Sequence, residues 1–313
     1  MVRRIATILP SFVLTQTSVF HYFAYNLSVR SEICLPELPS GLPGHGLEVR
    51  LAPVARATEP RTIEWREAPA REARFSFPGV GSFLVRAGSE IIITPDAGAD
   101  HDIFHLYVEG LMLASALHQR DFLVLHTSVI DLNGRAIALM GPIGAGKSTF
   151  ASTFLARGHR IVADDNAALA SGDDTPRVLP AFPSLKVYPD VARSLGHSDL
   201  VLRPMHRSQA KHAQPVNGAF SLSPLPLEAI YVLDREADTA VSELSTLDSL
   251  TELIRHSVPT RWGVSGNARH LMLCASLVRK VTIFRVRTFS ALSEITAIAD
   301  RIERHADRHC RLA

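Results

Sequence analysis

Residues 122–168 read FLVLHTSVIDLNGRAIALMGPIGAGKSTFASTFLARGHRIVADDNAA, and the middle of this stretch decides the fold class. Residues 141–148 fit the pattern G-x-x-x-x-G-K-S, in which glycines let the backbone bend tightly and direct its N–H groups at phosphate oxygens. Lys147 supplies a positive charge for the β- and γ-phosphates, and the Ser148 hydroxyl can bind Mg²⁺. The pattern predicts a phosphate-binding loop.

The residues around the loop support this interpretation. An apolar run at 136–140 predicts a buried strand before the loop, and residues 148–157 predict a helix that ends at Gly158. A helix N-terminus favours an anion, so the sequence predicts a bound nucleoside triphosphate rather than a glycine-rich turn that binds nothing. The residues predicted to contact the nucleotide are Gly141, Pro142, Ile143, Gly144, Ala145, Gly146, Lys147, Ser148 and Thr149.

Composition limits the class of protein. The chain has 313 residues, enough for two domains or one large one, and is 46% hydrophobic and 20% charged, as is typical of a globular protein. A formal net charge of +2 gives no reason to expect nucleic acid or an anionic membrane as a partner. The scattered cysteines suit a reducing cytoplasm, and they are Cys34, Cys274 and Cys310.

The first twenty residues resemble a secretion signal only faintly. Arg3 and Arg4 precede an apolar run, but Pro10 and Gln16 interrupt it and no clear cleavage site follows. We expect a poorly ordered or strand-forming leader. No later stretch offers the ~18 uninterrupted apolar residues of a membrane helix, so a soluble cytoplasmic protein is expected.

The N-terminal third predicts a strand-rich module at residues 1–100. Residues 25–29 alternate, and residues 81–86 and 90–94 predict a hairpin. Residues 52–73 are rich in Pro, Arg and Glu, which predicts an exposed or irregular stretch. A connecting helix at 101–120 follows, and its predicted apolar face consists of Phe104, Tyr107, Val108, Leu111 and Met112.

Residues 121–313 predict an α/β domain. A strand at 122–130 and the turn Asn133-Gly134 predict a hairpin into the loop, and a strand at 159–163 ends at Asp164-Asp165. Residues 193–218 lack apolar periodicity and predict a long, mobile, basic loop. The further predicted elements are strands at 185–188, 228–234 and 281–286 and helices at 247–256, 267–278 and 291–305, the last capped by Ser290.

Three features near the loop in the sequence could take part in phosphoryl transfer, and they are His126, the Asp164-Asp165 pair and Asp190. Within the acidic pair, Asp164 could lie near the metal and Asp165 could face an acceptor hydroxyl. The alternative is a solvated strand end that caps the next turn. His126 lies within an apolar run, where a structural core histidine and a functional one are equally consistent with the pattern.

Residues 122–165 resemble the catalytic core of the HPr serine kinase/phosphorylase family. The matching features are His126, the loop at 141–148, Arg157-Gly158-His159-Arg160 and Ala163-Asp164-Asp165. The resemblance implies a P-loop kinase domain of the HPr kinase C-terminal type, preceded by the smaller strand-rich module. It also implies ATP, Mg²⁺, a homo-oligomer, and phosphorylation of a serine, with Asp165 as proton acceptor, His126 as its companion, and Lys147 and Asp164 as further catalytic residues.

The sequence also departs from that family. Thr149 stands where the family has Glu, and the family segment E-I-R-G-L-G-I, which provides a metal carboxylate and supports phosphorolysis, was not found. We therefore expect a forward kinase whose metal ligands are Ser148, Asp164 and, as a substitute, Asp190. Residues 31–39, 185–190 and 226–233 resemble the HPr-kinase-like proteins found beside lasso-peptide modification enzymes, which implies a ribosomally made precursor peptide as the serine-bearing substrate.

Three other functions stay open at this point. The chain could be an HPr-type kinase of carbohydrate regulation, a nucleotide-binding regulator without catalysis, or a kinase of a small molecule, which the hairpin entry to the loop disfavours. The basic residues Arg203, Arg207 and Lys211 could hold the ATP phosphates, bind a peptide carboxylate, or simply be solvated.

Overall fold

The computed structural model is a mixed α/β protein, which confirms the predicted class. Most of the predicted leader lies outside the described residues, as do Ser290 and Cys310. In the part of the chain that the structure describes, no helix is long and apolar enough to cross a membrane. The described residues are 18–54, 61–66, 71–170, 175–195, 202–216, 218–235, 241–258, 260–263, 266–288 and 291–309.

The N-terminal module is a seven-stranded sheet with strand order β1-β2-β3-β7-β6-β5-β4. The pairs β2–β3 and β3–β7 are parallel, and the other neighbours are antiparallel. The strands are β1 Phe20–Ala24, β2 Leu27–Ser31, β3 Gly46–Leu51, β4 Thr62–Arg66, β5 Glu72–Phe77, β6 Gly81–Arg86 and β7 Glu90–Pro95.

The predicted hairpin at 81–94 is confirmed, one neighbouring prediction was wrong, and the prediction for residues 52–73 was right only in part. Residues 55–60 and 67–70 of that stretch lie outside the described residues. The alternation at 25–29 is not one strand, because Tyr25 and Asn26 have φ of 53° and 59° and form the turn between β1 and β2. Residues 52–73 contain the edge strand β4, in which half-buried Ile63 and Trp65 alternate with exposed residues. An edge strand carries charged side chains, which is why its composition is typical of a loop.

The connecting helix is confirmed, and it contains one irregular turn. The chain passes through a 3₁₀ turn at His101–Ile103, helix α1 at Phe104–Tyr107, a π-helical turn at Val108–Met112 and helix α2 at Leu113–Gln119. Of the predicted apolar face, Tyr107 is half-buried and the other four side chains are buried. π-Turns within helices are frequent at functional sites.

The predicted α/β domain is built on a nine-stranded sheet. Strands β10, β17 and β19 run parallel, and β9 pairs antiparallel with β10 and β11. The predicted Asn133-Gly134 hairpin is confirmed by φ of 54° and 86° at its turn. The strands are β8 Leu123–Leu125, β9 Thr127–Leu132, β10 Arg135–Met140, β11 Arg160–Ala163, β12 Ala167–Ala170, β13 Arg177–Val178, β17 Leu225–Asp234, β18 Val241–Glu243 and β19 Thr282–Arg287.

The predicted long loop at 193–218 was wrong in part. A small antiparallel sheet forms from β14 at Ser184–Val187, β15 at Arg203–Pro204 and β16 at His212–Pro215. Ala213 and Gln214 in β16 are buried. Strands of two to four residues are too short to show a period in the sequence, so the pattern resembled a loop.

Five helices complete the domain, and they cover the central sheet unequally. Helices α3 and α7 form one core with one face of that sheet. The other face shares a single core with the N-terminal sheet and the connecting helix. The four predicted helices are confirmed as α3 Lys147–Ala156, α5 Thr246–Arg255, α6 Ala268–Val278 and α7 Ile295–His309, whereas α4 Pro189–Ser194 was not predicted.

Candidate active site

The predicted phosphate-binding loop connects the end of β10 to the start of α3, as the sequence predicts. Gly144 and Gly146 have φ of 82° and 97°, a backbone conformation that favours glycine, and Gly146 is the N-cap residue of α3. The loop borders a cavity of about 370 Å³, which we call the loop cavity. The predicted nucleotide-contacting residues that line it are Ile143, Gly144, Gly146, Lys147, Ser148 and Thr149.

The other three predicted contact residues, Gly141, Pro142 and Ala145, do not line the loop cavity but form hydrogen bonds that hold the loop. The carbonyl oxygens of Gly141 and Pro142 accept hydrogen bonds from Lys147 Nζ at 2.8 and 3.1 Å. The Ala145 N–H donates to the Pro142 carbonyl at 3.2 Å, and the Ala145 carbonyl accepts from Thr288 Oγ1 at 2.9 Å. These bonds shape the loop within the protein itself. Gly141, Pro142 and Ala145 are therefore structural residues of the loop.

Lys147 is almost completely buried. Burial and the nearby Arg261 lower the pKa of its ammonium group to about 8. Below that pH the side chain keeps its positive charge, and it lines the loop cavity. This is the position that a lysine needs to contact a bound phosphate.

Asp164 is buried and connects three elements. Its Oδ1 accepts hydrogen bonds from Ser128 Oγ at 2.5 Å and from Ser148 Oγ at 3.2 Å. Its Oδ2 accepts from the Lys186 backbone N–H at 3.0 Å. The carboxylate is therefore held beside the hydroxyl of the phosphate-binding loop, and it does not act as a solvated turn cap.

The oxygens of Ser148 and Asp164 are a suitable donor pair for Mg²⁺. Magnesium binds proteins through one or two oxygen ligands and completes its shell with waters and substrate phosphates. Among the described residues, no three His, Cys, Asp or Glu side chains converge on one point. Asp190, predicted as a further ligand, is exposed on α4 and is not one of the residues that line the loop cavity.

Asp165 directs its carboxylate away from Asp164, although the two residues are adjacent. Its φ of 70° is uncommon for a residue with a side chain. Oδ2 accepts from Lys186 Nζ at 2.8 Å, and Oδ1 lies 3.2 Å from His126 Nδ1. Burial raises the pKa of Asp165, but the charge of Lys186 and the hydrogen bonds from His126 and Lys186 outweigh it and hold the pKa well below its usual range. Asp165 is therefore a carboxylate at neutral pH.

His126 was predicted to lie in the middle of a strand, and this was wrong. It lies between β8 and β9, where the chain leaves its pairing with β12 and joins β10 and β11. Its Nδ1 is 2.6 Å from the Asp165 carbonyl oxygen, which can only accept, so Nδ1 carries a proton. Burial lowers the pKa of His126, so the ring is neutral at pH 7. The His126 side chain is largely buried, and it lines the loop cavity.

A second cavity, of about 440 Å³, also has Asp165 in its lining. We call it the helix cavity, because residues of the connecting helix line it. Four side chains line both cavities, and these are Asp165, Lys186, Lys211 and Arg261.

Two of these shared residues, Lys186 and Arg261, were not predicted as site residues from the sequence. Lys186 alternates with apolar residues in β14, and a lone lysine in such a run was the signal that could have singled it out. Arg261 lies in a 3₁₀ turn after α5, 3.9 Å from Asp165 Oδ1, and no motif surrounds it.

The basic residues predicted as a group separate in the structure. Arg203 pairs with Glu37 at 2.9 Å, and the largely exposed Arg207 pairs with Asp100 at 2.9 Å. Lys211 lies with its Nζ 5.4 Å from the ring centre of Tyr188 and lines both cavities. Of the three, Lys211 is the one that the structure brings to the candidate site.

The Arg157-Gly158-His159-Arg160 segment acts mainly in the fold. Arg157 Nη1 and His159 Nε2 lie 3.0 and 2.9 Å from the carboxylate of Glu303 in α7. Arg157 also pairs with Asp300 at 2.6 Å. The segment therefore fixes the C-terminal helix to the end of α3.

Comparisons with known proteins relate one segment of the chain to HPr kinases. No family model matches. HPr kinase/phosphorylase 1 of Oceanobacillus iheyensis is 38% identical over 52 residues, which is 17% of this chain and 17% of that protein. The solved Hpr(Ser) kinase/phosphatase of Coxiella burnetii is 11% identical and covers 59% of this chain and 97% of its own, with a TM-score of 0.34. A likeness this low carries no conclusion about the fold. The local sequence match supports an HPr-kinase-like relationship over its own length.

Proposed function

We propose that this protein is an ATP-dependent kinase that transfers the γ-phosphate to a serine hydroxyl of a protein or peptide. One observation carries the proposal: an ionised Asp165 lines both the cavity of the predicted phosphate-binding loop and a second cavity of similar size. Phosphoryl transfer needs this arrangement, because donor and acceptor approach one point from opposite sides.

The loop cavity is the proposed ATP site. Backbone N–H groups at the start of α3 and the Lys147 ammonium would hold the phosphates. Ser148 and Asp164 would hold Mg²⁺, which, when bound, neutralises negative charge on the phosphates. Lys211 and Arg261 lie at the boundary between the cavities, where they can stabilise charge on the transferring phosphoryl group.

Asp165 is the proposed proton acceptor. The serine Oγ forms a bond to the γ-phosphorus as the bond from that phosphorus to the bridging oxygen of ADP breaks. The serine proton passes to Asp165, while Lys186 and His126 hold its carboxylate in position. A carboxylate with a low pKa is a weak base, so its main contribution is to orient the hydroxyl until phosphorus–oxygen bond formation acidifies it.

The local match supports the kinase class, since the matched relative is named as an HPr kinase/phosphorylase. Within that class we favour a ribosomally made precursor peptide as the acceptor, on the resemblance at residues 31–39, 185–190 and 226–233. We propose forward transfer as the main direction, because the segment that supports phosphorolysis in that family was not found in the sequence.

The proposal is tested with γ-labelled ATP, Mg²⁺ and pools of serine-containing peptides. We expect labelled phosphoserine, loss of the label in excess chelator, and at least ~100-fold slower transfer by Lys147→Ala. Lys280→Ala is the matched control, because Lys280 lies in the turn after α6 and does not line either cavity. ATP binding without transfer to any acceptor would favour a nucleotide-binding regulator and contradict the proposal.

A further inference from the structure

The helix cavity is apolar at one end and basic at the other. The basic end lies at Asp165, where Lys186, Lys211 and Arg261 meet. The apolar end lies between the N-terminal sheet and the connecting helix, and the tilted rings of Phe77 and Tyr107, with centroids 4.5 Å apart, form part of it. The apolar lining residues are Phe77, Ile103, Leu106, Tyr107, Leu111 and Met205.

Gly110 leaves space in front of Asp165. A Cβ atom added at this position would meet one neighbouring atom within 4 Å, Asp165 Oδ2, at 4.0 Å. Gly110 lies inside the π-helical turn and does not have a positive φ. Because the φ is not positive and a Cβ atom would fit, neither backbone conformation nor packing requires glycine here. Glycine is also less stable than alanine in a helix interior. Its effect is to leave room beside the carboxylate.

Arg61 also lines the helix cavity, beside its apolar residues. Its guanidinium carbon lies 5.6 Å from the ring centre of Phe77. Asn166, Ser208 and Gln209 add uncharged polar side chains to the lining. Next to the proposed proton acceptor, the cavity therefore combines an aromatic and aliphatic wall with groups that can form hydrogen bonds with a peptide backbone.

We infer that the helix cavity binds an extended peptide segment in which an aromatic or long aliphatic side chain lies next to the acceptor serine. This inference rests on the proposed kinase function and names the class of its acceptor. The serine hydroxyl enters over Gly110 and reaches Asp165, while the neighbouring apolar side chain packs among Leu106, Tyr107 and Leu111. The N-terminal sheet thus forms part of the acceptor site through Phe77 and Arg61.

The first experiment measures phosphorylation of peptide pools. Each pool has one central serine in an alanine background, with a single varied residue directly before or after it. We expect pools with Phe, Tyr, Leu or Met at one of these positions to show kcat/KM about tenfold above pools with Gly, Asn or Asp, since burial of one large apolar side chain supplies discrimination of this order. Equal use of all pools overturns the inference and leaves the kinase proposal intact.

The second experiment narrows the entrance at Gly110. Gly110→Ala should keep or raise the melting temperature, bind Mg·ATP within about twofold of the wild type, and lower kcat/KM for the preferred pool at least about tenfold. The added methyl group occupies the proposed path of the serine to Asp165. Unchanged kcat/KM with a folded variant would overturn this path.

The third experiment removes the apolar wall without touching Asp165. Leu106→Gln should reduce the preference for an apolar neighbour to about twofold or less, and Leu42→Gln, at an exposed position outside the cavity, should keep it. A preference retained in Leu106→Gln overturns the assignment of this wall. Bound Mg·ATP with no transfer to any pool overturns the inference of a peptide acceptor, and absence of Mg·ATP binding overturns the proposed function itself.

Discussion

The loop cavity and the helix cavity meet at Asp165, but the chain builds them differently. The loop cavity draws its phosphate-facing residues from one short stretch, 143–149, and from the strand end at 164–165. The helix cavity combines residues of the N-terminal sheet, the connecting helix, the small three-stranded sheet and the turn after α5. The first owes its loop side to local chain geometry and takes its other lining residues, such as Lys211 and Arg261, from distant segments, whereas the second is formed by tertiary packing throughout.

This difference has a functional consequence. Hydrogen bonds within the loop, such as those from Lys147 to Gly141 and Pro142, shape the predicted phosphate-binding loop, and Thr288 adds one bond from a distant segment. The helix cavity changes whenever the sheets around it shift. Nucleotide binding should therefore tolerate substitutions in the helix cavity, whereas phosphoryl transfer should depend on both cavities.

Apart from substitutions in the loop and at Asp165, substitution of Lys186, which lines both cavities, is expected to slow phosphoryl transfer most. Lys186→Met removes the main charge that lowers the pKa of Asp165. That pKa should rise, so the fall of kcat/KM on the acid side should move to higher pH, and transfer at pH 7 should slow by about tenfold or more. A pH profile of kcat/KM from pH 8 down to the lowest pH at which both proteins stay folded measures both changes.

Lys186→Arg is the matched control for this prediction. It keeps a positive charge beside Asp165, so the acid limb of the profile should stay close to that of the wild type. An acid limb that does not move in Lys186→Met would show that Lys186 does not set the ionisation of the group that limits transfer.

A smaller effect is expected at Lys211, and almost none at Arg207. Lys211→Glu places a negative charge at the boundary of the two cavities, so we expect about fivefold slower transfer, with a smaller effect at high salt. Arg207→Glu breaks an exposed ion pair with Asp100 and should change transfer less than about twofold. A larger loss of transfer in Arg207→Glu than in Lys211→Glu would instead place the acceptor site at the exposed turn that contains Arg207.

The two cavities also explain which features can be predicted from the sequence alone. The loop, the strand before it, the helix after it and the acidic pair could be predicted because each depends on residues close in the chain. The Asn133-Gly134 hairpin is the same kind of signal, since a two-residue turn of this composition needs no tertiary contact. Local chemistry produces these features, so local sequence predicts them.

The helix cavity could not be predicted, because no short segment contains it. Arg261 has no motif around it, and Lys186 gains its role only when β14 places it against Asp165. The small sheet of β14, β15 and β16 consists of strands too short for a periodic pattern. Gly110 looks like an ordinary interruption of a helix until Asp165, 55 positions later in the chain, is found beside it.

His126 lines the loop cavity, but the prediction that it lies in the middle of a strand was wrong. Apolar neighbours on both sides predict one continuous strand, yet the chain changes pairing partners at this residue. The change breaks regular strand geometry and lets the ring reach the Asp165 carbonyl oxygen. Sheet pairing is a tertiary property, so the sequence could suggest the residue but not its position between two strands.

The central claim is that Asp165 serves transfer between the two cavities and is not needed to hold ATP, and Asp165→Asn tests it most directly. Binding of Mg·ATP is measured by calorimetry, and transfer by labelled phosphate on the preferred serine peptide. We predict a Kd for Mg·ATP within about threefold of the wild type and transfer at least ~100-fold slower, since a positioned proton acceptor contributes on this order. Transfer within about tenfold of the wild type, or loss of ATP binding in proportion to loss of transfer, would contradict the account.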